Sequence, residues 1–133
     1  LQKNAKVPRA GVQYNFNVED GAGGEWWIDV SGAFTTVRPG LLRIDTIWKT
    51  LGRASVLEAY DPAAKILILT SHLPRSGSEG DKAMRAVSPF TIFDAIPMFD
   101  DEAQERLRSY AAGGATVPLP GFWKSTEIVN GLA

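Results

Sequence analysis

At 133 residues, with 44% hydrophobic and 22% charged side chains, the chain has enough apolar material for one packed domain and is not a disordered segment. It has no cysteine, which excludes disulfides and thiolate metal sites, and a formal net charge of −1, which excludes bulk electrostatic attraction to nucleic acid. No apolar run reaches the roughly 18 residues of a membrane span and no signal-type segment opens the chain, so a cytoplasmic protein is expected. Because the sequence opens at Leu1 without an initiating Met, a single domain belonging to a longer protein is expected over 1–133.

Residues 1–10 read as a loose lead-in. In VQYNFNVE (12–19), Val12, Tyr14, Phe16 and Val18 alternate with Gln13, Asn15, Asn17 and Glu19, the period of a half-buried strand. DGAGG (20–24) reads as a turn and EWWIDVSGAFT (25–35) as the returning strand of an antiparallel hairpin. After a Pro39-Gly40 loop, Asp45 or Thr46 caps a helix to about Tyr60, with Ile47, Leu51 and Ala54 on one stripe and Ile44 and Trp48 beside it. Gly52 either weakens this helix or permits close packing. KILILTS (65–71) has the aliphatic run of a strand buried on both faces. A loop (72–80), a short helix (79–87), a strand (90–99) and a helix (100–112) follow. The last helix has its acids at the start, as the macrodipole favours. Residues 113–133 are rich in Gly and Pro and form a loosely assigned tail. The order β-β-α-β-α-β-α predicts an α/β fold, a mixed sheet opening with an antiparallel hairpin and covered by helices.

Charge is uneven. Arg38, Arg43, Lys49 and Arg53 stand against Asp45 in the middle of the chain, whereas Asp100, Asp101, Glu102 and Glu105 cluster without a base. Clusters of this kind mark either two functional faces or ordinary solvated surface.

Asp29 lies mid-strand on the same face as Trp27 and Ser31. A buried ionised carboxylate is costly, so this one must be paired, ligated or on a wet face. The hairpin is expected to bring it near Asn17 or Glu19, with Asp20 at the turn, and two such acids suit a divalent ion. Pairing with Lys49 or Arg53 is the structural alternative. Trp26 and Trp48 are expected as core anchors.

YNFNVEDGAGGEWWIDVSG, with DTIWKTLGRASVLEAYDPAAKILILTS after it, resembles the core of the PD-(D/E)xK nuclease superfamily, the restriction-endonuclease-like fold. There a hairpin carries one acid and then an acid-x-Lys, followed by a helix and a further strand. The resemblance spans about residues 12–71. The acid-x-Lys element reads Asp29-Val30-Ser31, so its lysine is absent. The resemblance implies Mg²⁺ or Mn²⁺ held by Asp29 with Asp20 or Glu19, and Lys49 as a displaced catalytic lysine orienting water and stabilising phosphate charge. It implies hydrolysis of nucleic-acid phosphodiesters in a DNA-processing or restriction protein, with Arg38, Arg43, Arg53, Arg75 and Lys82 contacting DNA phosphates. Partners would be DNA, further domains or partner proteins, and a second copy in a homodimer.

Asn17 and Ser31, standing where catalysis wants an acid and a lysine, equally suit a catalytically inactive module of the same fold that binds nucleic acid or protein. A third reading is a carrier of small apolar ligands that uses the aromatic hairpin as a pocket wall. SHLPRSGSEGDK leads from a strand into a helix, and Gly77, Gly80 and Lys82 lend it phosphate-loop character, although it matches neither GxxxxGK[ST] nor GxGxxG. His72 is the only histidine, so no His-only metal centre exists in this chain, and a loop residue satisfied by backbone is its default role.

Overall fold

The computed structural model describes residues 1–7, 10–31, 41, 44–87, 89 and 91–132. Among these residues, five strands form one mixed sheet in chain order: β1 (Gln2–Lys6), β2 (Gln13–Glu19), β3 (Glu25–Ser31), β4 (Lys65–Thr70) and β5 (Asp94–Pro97). The first three form an antiparallel meander, and β3, β4 and β5 run parallel. The helices are α1 (Ile44–Tyr60), α2 (Glu79–Ala86), α3 (Asp101–Ala112) and α4 (Ser125–Gly131). The expected α/β class and hairpin-led mixed sheet are therefore present, with β1 as an additional strand where a loose lead-in was expected.

Alternation along the strands builds two cores. Trp27, Ile66, Ile68 and Ala95 face α1, α2 and α4, packing on Ile47, Leu51, Ala54, Leu57, Met84 and Ile128. Trp26, Leu67 and Ile96 face α3, packing on Phe93, Ala103 and Tyr110. The result is three layers, with both faces of the parallel strands covered as their aliphatic sequences require. On the α3 side, the rings of Trp26, Phe93 and Tyr110 meet at centroid distances of 4.9, 5.4 and 5.3 Å.

β5 is shorter than the apolar run suggested, but Phe93 N–H to Ile66 O (2.9 Å) and Met98 N–H to Thr70 O (2.8 Å) extend its pairing beyond both ends. Its first residue, Asp94, is fully buried and accepts from Arg106 Nε (2.9 Å), Tyr110 Oη (2.7 Å) and Ala95 N–H (2.8 Å). Burial raises this carboxyl above its ordinary pKa, and the Arg106 and Tyr110 hydrogen bonds oppose that shift. Tyr110 Oη in turn accepts from Leu119 N–H at 2.9 Å, which draws the Gly/Pro-rich segment over α3.

The tail packs. Trp123 is buried and donates Nε1–H to Ile92 O, and Arg85 binds both Phe122 O (2.9 Å) and Glu127 Oε1 (2.7 Å). These bonds anchor α4 to α2, and the segment before α4 to the residues leading into β5. The segment 113–132 thus packs on the domain through Phe122, Trp123 and Ile128, although its sequence has no periodic signature.

Trp48 is a correction. It is 60% exposed, and with Ile44, Val56 and Tyr60 it lies on the outward ridge of α1. The helix buries Ile47, Thr50, Leu51, Ala54 and Leu57, so only one of its two apolar stripes reaches the sheet. Gly52 is also outward, with open space around its α-carbon. The close helix approach falls at Gly80, where an added Cβ would collide with Ile47.

Candidate functional site

The hairpin places the site by its register. Glu19 faces Glu25, Asn17 faces Trp27 and Phe16 faces Ile28. Neither Asn17 nor Glu19 is therefore Asp29's cross-strand neighbour. Glu19 lies four residues up the ladder, about 13 Å away at roughly 3.3 Å per residue. Beyond Phe16 the ladder is completed by a side chain: Val30 N–H donates to Asn15 Oδ1 at 2.8 Å. Here the strands depart from regular alternation, and Asn4 on β1, between the Lys3 and Ala5 pairings, has a left-handed φ of 48°. Tyr14 consequently joins the α1-side core, its ring 5.9 Å from Trp27, while Val18 stays on the α3 side. The single apolar stripe expected from Val12 to Val18 is split at Asn15.

Asp29 is 3% exposed, and its Oδ2 accepts from Arg53 Nη2 at 2.6 Å. Arg53 projects from the middle of α1 with 31% of its side chain exposed. Burial, and secondarily the Asp29 charge, push the Tyr14 phenol well above its ordinary pKa, so it stays protonated. Tyr14 Oη is buried and has no hydrogen-bond partner among the described residues. Around the pair, Asn4, Gln13, Tyr14, Asn15, Asp29, Val30 and Arg53 line a surface pocket of about 300 Å³.

Asp20 stands elsewhere. Its carboxylate accepts from Ala22 N–H (2.9 Å), Gly24 N–H (2.8 Å) and Trp26 Nε1–H (2.9 Å), with Lys65 Nζ at 4.0 Å. These bonds, the Trp26 one foremost, hold its pKa below the ordinary carboxylate value. It closes the β2–β3 turn on the α3 side of the sheet, whereas Asp29 faces α1. The structure therefore does not bring Asp29 and Asp20 together: Asp20 accepts from three local donors on the other face of the sheet. Among the described residues no three His, Asp or Glu side chains are grouped to hold a metal ion.

Lys49 is exposed on α1 one turn before Arg53, and the described residues give it no carboxylate partner. Arg75 is exposed in the loop after β4, and Lys82 lies 3.5 Å from Glu79 in the first turn of α2. Ser78 caps α2 and Asp81 accepts from Gly77 N–H and Arg85 Nε, so this loop closes on itself through side chains. His72 is exposed, and its backbone is tied to Leu41 and Thr70. Arg38 and Arg43 lie outside the described residues. Sequence reasoning missed Asn15 and Tyr14, yet counting outward from the five-residue turn pairs 19 with 25 and hence 15 with 29. No family model, no curated protein and no solved structure matches this chain.

Proposed function

We propose that this domain binds the phosphodiester backbone of nucleic acid, DNA first, on a nuclease-like α/β core that does not hydrolyse it. The observation that carries the reading is Asp29's partner. Arg53 occupies the carboxylate that the resemblance assigns to a metal ion, 2.6 Å from Oδ2. The residue across the ladder is the amide Asn15 rather than an acid, and the third position of Asp29-Val30-Ser31 is a hydroxyl rather than an amine. The hairpin, α1 and parallel β4 support the core layout. These three residues support loss of the two-acid centre. Lys49, Arg75 and Lys82 stand on elements at the carboxyl edge of the parallel strands, where α/β sheets bind ligands, and they give a phosphate chain cations to follow.

Fluorescence anisotropy with duplex and single-stranded DNA across a salt series, in EDTA and in Mg²⁺ or Mn²⁺, tests this. Binding should weaken linearly in log–log coordinates, with a slope of about −3 for three or four phosphate contacts, and should be indifferent to EDTA. The strands should stay intact on a gel. Divalent-dependent cleavage that Asp29→Ala abolishes would replace this reading with the hydrolytic one, in which Asp29 ligates the ion and Lys49 serves the attacking water. No binding to DNA or RNA at low salt would end both.

A further inference from the structure

We infer that the Asn15–Arg53 pocket is a seat for a single phosphate group, in which a fixed guanidinium supplies the positive charge; this rests on the nucleic-acid reading above. Asn15 Oδ1 is taken by Val30 N–H, so its amide nitrogen, turned the other way, has two N–H donors to offer. Tyr14 keeps its phenolic proton; its side chain lines the pocket, and its buried Oη has no hydrogen-bond partner among the described residues. A buried hydroxyl left unpaired costs stability, and native structures keep few of them; of the four unpartnered buried atoms among the described residues, Tyr14 Oη is the one whose side chain lines this pocket. Arg53 has five N–H donors, and its bond to Asp29 engages one nitrogen, Nη2, while part of the side chain faces the pocket. Asn4 and Gln13 add exposed primary amides at the rim.

The charge balance fits the same ligand. Asp29 would repel a phosphate if it stood alone. Paired with Arg53 it instead fixes the guanidinium in place and leaves the pair neutral. An incoming phosphate then brings the net charge, and the Arg53, Asn15 and Tyr14 donors form charge-assisted hydrogen bonds to its oxygens. The pair therefore acts as an anchored arginine, with Asp29 as its positioning residue.

The same chemistry serves a phosphodiester of a nucleic acid or a free phosphate ion, and the experiment separates them. Wild type, Tyr14→Phe and Asn15→Asp are compared in DNA-binding anisotropy and in thermal unfolding with and without inorganic phosphate. Tyr14→Phe removes only an unpaired oxygen, so its melting temperature without ligand should equal or exceed that of wild type. Asn15→Asp keeps the acceptor for Val30 N–H and replaces the donor nitrogen with negative charge. Weakening of DNA binding by about 10-fold or more in each variant, the loss of one hydrogen bond to a charged group, supports the seat. Wild-type DNA affinity in both variants overturns the seat and leaves the nucleic-acid reading standing. If wild type ignores nucleic acid, but phosphate raises its melting temperature and not that of Tyr14→Phe, the seat holds for free phosphate and the nucleic-acid reading falls. No response of wild type to either probe overturns both.

Discussion

Replacing Arg53 with methionine keeps most of the aliphatic stem and removes the guanidinium from Asp29. The carboxylate is 3% exposed and sits between Trp27 and Ser31 on a strand face covered by α1. Breaking a buried pair by removing one partner costs about 3–5 kcal/mol because the survivor is left uncompensated. Arg53 is partly exposed, which admits water and places the expected cost at the lower end, about 3 kcal/mol. At roughly 2.1 cal/mol/K of unfolding entropy per residue, a domain of this length loses about 11 °C in melting temperature. The double variant Arg53→Met with Asp29→Leu removes both charges and should recover most of the loss, because no unpaired carboxylate is left. Calorimetry or urea titration of wild type, Arg53→Met, Asp29→Leu and the double variant gives the coupling energy directly. Additive effects, or an Arg53→Met protein melting within 2 °C of wild type, would refute the claim that Asp29 is held as one half of a buried ion pair.

Other outcomes follow from the same geometry. Asp20→Asn should lower stability at neutral pH and flatten the acid limb of the stability profile. The folded-state pKa of Asp20 is depressed, so its contribution is present above its unfolded value, about 3.9, and is lost as pH falls through the lower folded value; urea midpoints from pH 2 to 7 check this. Gly52→Ala should stabilise by about 0.5–1 kcal/mol, since the site is helical, exposed and open around its α-carbon, and a higher urea midpoint would show it. Gly121→Ala should destabilise by about 1–3 kcal/mol, because the new Cβ meets Arg106, whose bonds to buried Asp94 prevent an easy retreat. Trp48→Gln should change stability by no more than about 0.5 kcal/mol, whereas Trp26→Ala should cost about 3–5 kcal/mol in the same assay.

The long elements were legible because their signals are local. The aliphatic run of β4, the turn at Asp20 and the capped, charge-polarised α3 each carry their own evidence within a dozen residues. β1 carries none: of its five residues only Ala5 is buried, and the strand exists because β2 offers an unpaired edge. α1 has two apolar stripes, and only the sheet decides that Ile47 goes in while Trp48 stays out. Trp123 is fixed by a carbonyl 31 positions away, a pairing no window can see. At the site, alternation correctly put Asp29 on the Trp27 face. The switch of Tyr14 to that same face depends on a side chain substituting for a backbone rung, which periodicity does not encode.

The left-handed turn at Asn4 bears on how copies of this chain avoid one another. β1 forms the outer edge of the sheet, and an edge with free N–H and C=O groups invites a strand from another molecule. Asn4 breaks that row after two residues, and Lys3 and Lys6 put a charge on either side of the break. The opposite edge, β5, is only four residues long and ends in Pro97, which has no N–H to offer. Both margins are therefore too short or too irregular to template stacking. A flat, uncharged β1 with Val at positions 3, 4 and 6 would remove these interruptions and leave an edge on which a strand of another copy could pair.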